Sequence, residues 1–100
     1  MIVKKHVDRY GRVVLAVCDS SIKGKCFREK GLQLDLSSEF YNGEEKDEKH
    51  IAQMFKEAYI INLVGEEAIK LGIKEGIISE NNIIRICKVP HAQVIVAGQE

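Results

Sequence analysis

His91 and Gln93 stand two residues apart in Val89-Pro90-His91-Ala92-Gln93, beside the only proline of the chain. On an extended backbone both side chains project from one face and Ala92 from the other. Pro90 fixes its own φ and drives Val89 towards an extended conformation, which gives the pair a stiff mount. A neutral imidazole beside a carboxamide can orient a ligand, read a base edge or transfer a proton near neutral pH. His91 is therefore the candidate catalytic residue, as a general acid/base, and His91 with Gln93 is the first candidate binding pair. The competing reading is a histidine satisfied by backbone groups at a strand turn, with Gln93 closing the hydrogen bonds.

Two further groups are candidates for binding. Asn62 and Gly65 lie just before Glu66 and Glu67. A helix starting near Leu63 would expose backbone N–H groups to an anion, and Gly65 would permit close approach. The two glutamates put negative charge at that same end, which favours capping over an anion site. Lys23, Lys25, Arg28 and Lys30 surround Phe27, and Lys25 and Arg28 are the candidate contacts of a phosphate-binding loop. Single-stranded RNA binding combines cations with stacked rings, but Phe27 is expected in the core. Gly24-Lys25 lacks the nucleotide P-loop pattern. Cys18, Cys26 and Cys87 lack a close Cys-x-x-Cys spacing, and Pro90 spoils a helical Cys87/His91 pair, so neither a metal nor a cofactor is expected.

These residues need elements to hold them. The runs flanking Pro90 read as strands Ile83–Cys87 and Gln93–Val96, with His91 and Gln93 at their junction. Ile2–Val7 is a first strand, Asp8–Gly11 a turn, and Arg12–Cys18 a strand apolar on both faces that belongs centrally in a sheet. Asp19-Ser20-Ser21 offers oxygens for a turn or a short helical cap. Ile22–Gly31 reads as irregular, and Leu32–Leu36 alternates as a strand with one buried face.

Ile51, Met54, Phe55 and Ala58 mark one face of a helix over Glu44–Glu57, whose first turns are acidic. Tyr59–Ile61 either continues it or begins a short buried strand, and Asn62 interrupts the apolar run. Gly65–Glu75 is a second helix; close packing would justify Gly65 and Gly72, and Gly76 suits the C-terminal cap. Three strands, two helices and two strands in that order predict an α+β fold. The expected architecture is a single domain over 1–100, with a largely antiparallel sheet of about five strands and two helices on one face.

One hundred residues, 45% hydrophobic and 30% charged, suit one folded domain with one core. No apolar run approaches the roughly 18 residues that span a bilayer, and no secretory signal is evident, so no membrane partner and a cytoplasmic location are expected. An odd, unpaired set of three cysteines fits a reducing compartment. The formal charge is zero, yet residues 1–30 carry eight Lys and Arg against three Asp and Glu. Basic charge gathered at the front can face RNA or another anion. The alternative is neutralisation of the two ends against each other in the fold.

Asn62-Leu63-Val64-Gly65-Glu66 and Val89-Pro90-His91-Ala92-Gln93, with Val17-Cys18-Asp19 and Gly24-Lys25 to Phe27-Arg28-Glu29, resemble a small archaeal family known only as a domain of unknown function. The resemblance covers nearly the whole chain. It implies an archaeal, single-domain, soluble protein with no established activity, associated with translation or RNA-related genes. The family pattern has small residues, often glycine, before Val-Pro-His-Ala-Gln, where Cys87 and Lys88 stand here.

The leading expectation is a small non-enzymatic binding protein acting on RNA or on a translation-related protein partner. Lys25 and Arg28 would supply anion affinity, and His91, Gln93, Asn62 and Gly65 directional contacts. One alternative is a small enzyme using His91 as general acid/base, with Asn62 or Gln93 orienting the substrate. Another is a structural subunit of a complex.

Overall fold

The computed structural model describes residues 1–96. The chain forms an α+β fold with a six-stranded main sheet, a separate two-stranded hairpin and two α-helices. In chain order the elements are β1 (Ile2–Val7), β2 (Val13–Cys18), β3 (Cys26–Glu29), β4 (Leu32–Asp35) and β5 (Glu44–Glu45). They continue with α1 (Glu48–Phe55), β6 (Ile60–Val64), α2 (Glu66–Lys74), β7 (Ile84–Ile86) and β8 (Val89–Ile95).

The main sheet runs β5-β1-β2-β6-β8-β7. Every pairing is antiparallel except β2 with β6, which are parallel with Ala16 opposite Asn62. A parallel neighbour cannot follow directly through a tight turn. The chain between these two strands holds the β3–β4 hairpin and α1, and this long excursion makes the parallel pairing possible.

β2 lies centrally, as its unbroken apolar run predicts, and its Leu15, Ala16, Val17 and Cys18 are all buried. Its alternate residues feed two cores. Leu15 and Val17 meet Ile51 and Phe55 of α1, Ala68, Ile69 and Leu71 of α2, and Ile61 and Leu63 of β6. Ala16 and Cys18 face the other way, onto Leu34, Leu36, Tyr41, Val64 and Ile86. The hairpin β3–β4 and the 3-10 turn Glu39–Tyr41 cover that second side, and Phe27, half-buried, packs against it.

Several expectations change. Cys26–Glu29 is a strand, not irregular chain, and it takes Leu32–Asp35 as its partner, so Leu32–Leu36 does not join the main sheet. Glu44 and Glu45 pair with Val3 and Ile2 instead of starting the first helix, which begins after Asp47, whose carboxylate accepts from the His50 N–H at 2.8 Å. Ile60–Val64 is a full buried strand with Asn62 in its middle, since a neighbour on each side satisfies its backbone. Gly72 does lie in close packing: a Cβ there would fall 2.6 Å from Leu63 Cδ1.

The junction at Pro90 is also displaced. The reversal between the last two strands is at Cys87 and Lys88, both left-handed at φ 51° and 68°, and Pro90, His91 and Gln93 lie within β8. Pro90 is tolerated there because β6 has ended at Val64. The position opposite it is Gly65, whose N–H donates to the Pro90 carbonyl at 2.9 Å, so the bond Pro90 cannot donate lies past the ladder.

Candidate functional site

The register of β6 and β8 sets Asn62 opposite Gln93 and Val64 opposite His91. Ala92 belongs to the helix-side core, so His91 and Gln93 share the opposite face, as their spacing predicts. The parallel pairing extends this into a row of Lys4, Ala16, Asn62 and Gln93 across four strands. The fold thus gathers three of the candidate residues on one sheet face.

Their exposure differs sharply. Gln93 is exposed, Asn62 is buried, and His91 is half-buried between Val64 and Ile84 on the neighbouring strands. Both His91 ring nitrogens are shielded from solvent and neither has a hydrogen-bond partner. Burial accordingly holds the His91 pKa below its ordinary value, because the cation would lose its hydration with nothing in exchange. The residue is therefore neither an open acid/base nor the backbone-satisfied turn histidine weighed against it. The adjoining cleft, about 160 Å³, is lined by Asp19, Ser21, Gly65, Glu66, Lys88 and Pro90 among others, and contains neither His91 nor Asn62.

Gly65 explains itself at the start of α2. Its φ is +107°, and a Cβ built on it would fall 2.3 Å from Cγ of Asp19. Close approach is needed, and what approaches is the chain's own carboxylate. Asp19 Oδ2 accepts from the Glu67 N–H at 3.0 Å and Oδ1 from the Ala68 N–H at 2.8 Å. These are donors that the first turn of a helix leaves unpaired, and Gly65 at the cap position has no side chain to take them. Asp19, 6% exposed, fills the anion position at this helix end from 48 residues away.

Lys25 and Arg28 lie elsewhere, on the β3–β4 hairpin. Lys23, Lys25, Arg28 and Lys30 are all exposed, and none forms a salt bridge among the described residues. The β7–β8 turn meets this hairpin: the Cys87 N–H donates to Glu29 Oε1 at 2.7 Å and its thiol to the Arg28 carbonyl at 3.2 Å. That contact sets Lys88 next to the hairpin cations, a neighbour invisible at 58 residues' separation in sequence. Phe27 is half-buried, with its ring packed against the second core.

A second cationic group lies at the other end of β2. Asp8 Oδ1 accepts from the N–H groups of Tyr10 and Arg12 at 2.8 and 2.9 Å, and Oδ2 from Arg12 Nε at 2.8 Å. These bonds from Arg12 hold the Asp8 carboxyl below the usual carboxylate range. The Arg12 guanidinium lies 5.0 Å from the centre of the Tyr10 ring and 4.6 Å from that of Tyr59, with Arg9 5.2 Å from Tyr10. Arg-Tyr-Gly-Arg reads locally as a turn; only the β2–β6 pairing brings Tyr59 to it. No group of His, Cys, Asp and Glu suited to a metal occurs among the described residues.

Comparison with known proteins follows the fold closely. The chain is similar to an uncharacterized conserved protein from Methanopyrus kandleri, known from its crystal structure, with a TM-score of 0.80 and 29% identity over 95% of this chain and 90% of that one. Among curated proteins nothing matches. The family model described as protein of unknown function, DUF424, matches residues 7–96, and the chain belongs to that family.

Proposed function

We propose that the chain is a non-enzymatic binding protein whose partner is RNA, held through the β3–β4 hairpin. The observation that carries this reading is the set of exposed cations Lys23, Lys25, Arg28 and Lys30, free of salt bridges among the described residues and joined by Lys88 from the adjoining turn. Two acids share the hairpin, Glu29 on β3 and Asp35 on β4, the latter within range of the Arg28 charge, so the cations are in excess. Cations in excess retain their attraction for phosphate, which local charge governs even when the net charge is zero.

The enzymatic alternative draws less support. A general acid or base must reach the proton it transfers, and both His91 nitrogens are shielded. His91, Asn62 and Gly65 serve the framework in this reading: Gly65 admits Asp19 to the helix end, and His91 and Asn62 sit within the β6–β8 pairing. Gln93 is the exposed member and is available to a ligand.

The test is fluorescence anisotropy with a labelled mixed-sequence single-stranded RNA at low salt. The Lys25→Ala/Arg28→Ala double variant is expected to bind at least tenfold more weakly than wild type, with unchanged thermal stability. Equal binding by the two proteins, or none by wild type, would remove the hairpin from the account.

A further inference from the structure

We infer that the β1–β2 turn carries a second contact, a stacking site for an unpaired base, built from Tyr10 with Arg9, Arg12 and Tyr59. The inference rests on RNA being the partner, but on different residues from the hairpin.

Tyr10 is 67% exposed, the most open tyrosine or phenylalanine among the described residues. A single exposed ring is ordinary on a protein surface, so what marks this one is the set of groups that hold it. It is held firmly. Asp8 fixes the backbone at Tyr10 and Arg12, Arg9 Nη2 donates to Tyr10 Oη at 3.0 Å, and Arg12 is oriented by Asp8 between the Tyr10 and Tyr59 rings. A ligand meeting this turn would order few further side chains, which lowers the entropic penalty of binding.

The chemistry selects the ligand. An aromatic face accepts any base by stacking, guanidinium planes add cation–π contact, and their remaining N–H groups suit phosphate oxygens. Asp8 neutralises one of the two arginines, leaving a surplus of one positive charge. A stacked base with one neighbouring phosphate fits that balance, whereas a duplex, whose bases are already stacked, offers nothing to the ring. The turn lies at the start of β2 and the hairpin beyond its end, so the extended strand Val13–Cys18 puts Arg12 and Asp19 seven residue steps apart. That is about 23 Å at roughly 3.3 Å per residue, a span for several nucleotides of single strand.

The experiment uses the full chain and two labelled RNAs of equal length, one single-stranded and one duplex, with amide chemical-shift mapping of the single-strand complex. Tyr10→Leu is expected to weaken single-strand binding about tenfold while leaving duplex binding and the salt dependence unchanged; Tyr10→Phe should restore it to within twofold. Arg9 to Arg12 and Tyr59 should shift in the wild-type spectrum. If Tyr10→Leu binds normally and those amides stay still while Lys25→Ala/Arg28→Ala loses affinity, RNA binding stands and this site falls. If wild type binds neither RNA, both fall together.

Discussion

Asp19 is the side chain whose removal reads most directly on the account of the α2 end. Its carboxylate takes two helix N–H groups while 6% exposed, so Asp19→Ala leaves buried donors unsatisfied. The expected cost is about 1–3 kcal/mol in urea unfolding. Gly65→Ala should also destabilise, through both its positive φ and the clash with Asp19. Combined with Asp19→Ala the two losses should sum to less than their separate values, because the clash goes with the carboxylate. Strict additivity would show that the two residues do not meet.

His91 makes a separate prediction from its solvent-shielded nitrogens. Its folded pKa is lowered by burial, so below the ordinary value near 6.5 the unfolded chain takes up a proton that the folded chain resists. The stability that depends on a neutral ring is fully present above that value. It is lost progressively as pH falls from there towards the lowered folded value. Unfolding midpoints measured between pH 7.5 and 5 should decline for wild type and decline less for His91→Phe. An identical slope in both would place the ring in contact with water or with a hidden acceptor.

Among the elements, the β7–β8 turn is the point of strain. Cys87 and Lys88 adopt left-handed φ values that cost a non-glycine residue about 1–2 kcal/mol. A two-residue hairpin with both central φ positive suits Asn-Gly and its like, not Cys-Lys. Lys88→Gly should raise stability by about 0.5–1 kcal/mol by thermal melting, and no gain would mean the turn relaxes in solution. What could be read in advance divides along the same line. β1, β2, α2 and the shared face of His91 and Gln93 follow from local periodicity, which needs no partner. β6 was obscured because Asn62 interrupts an apolar run, and only burial between β2 and β8 makes it a strand. The hairpin was hidden by a polar β3 whose only inward residue is Phe27. Asp19 capping α2, Lys88 joining the hairpin and Tyr59 reaching Arg12 are long-range contacts, and no spacing rule along the chain contains them.

Taken together, the fold separates framework from surface. The residues that looked most chemical, His91, Asn62 and Gly65, sit at the seams between β6, β8 and α2, where Gly65 admits the Asp19 carboxylate to the helix end. The cations lie outside, on the hairpin that covers the second core and on the turn at the other end of β2. A zero net charge therefore conceals two local groups of cations, and the RNA binding proposed for them would be sensitive to salt. The decisive measurement is the slope of log affinity against log salt concentration for single-stranded RNA, with wild type and Lys25→Ala/Arg28→Ala. Each phosphate contact on a single strand contributes about 0.7 to that slope, so removing two cations should flatten it by about 1.4. A wild-type slope near zero, or the same slope in both proteins, would contradict a role for the hairpin in holding phosphate.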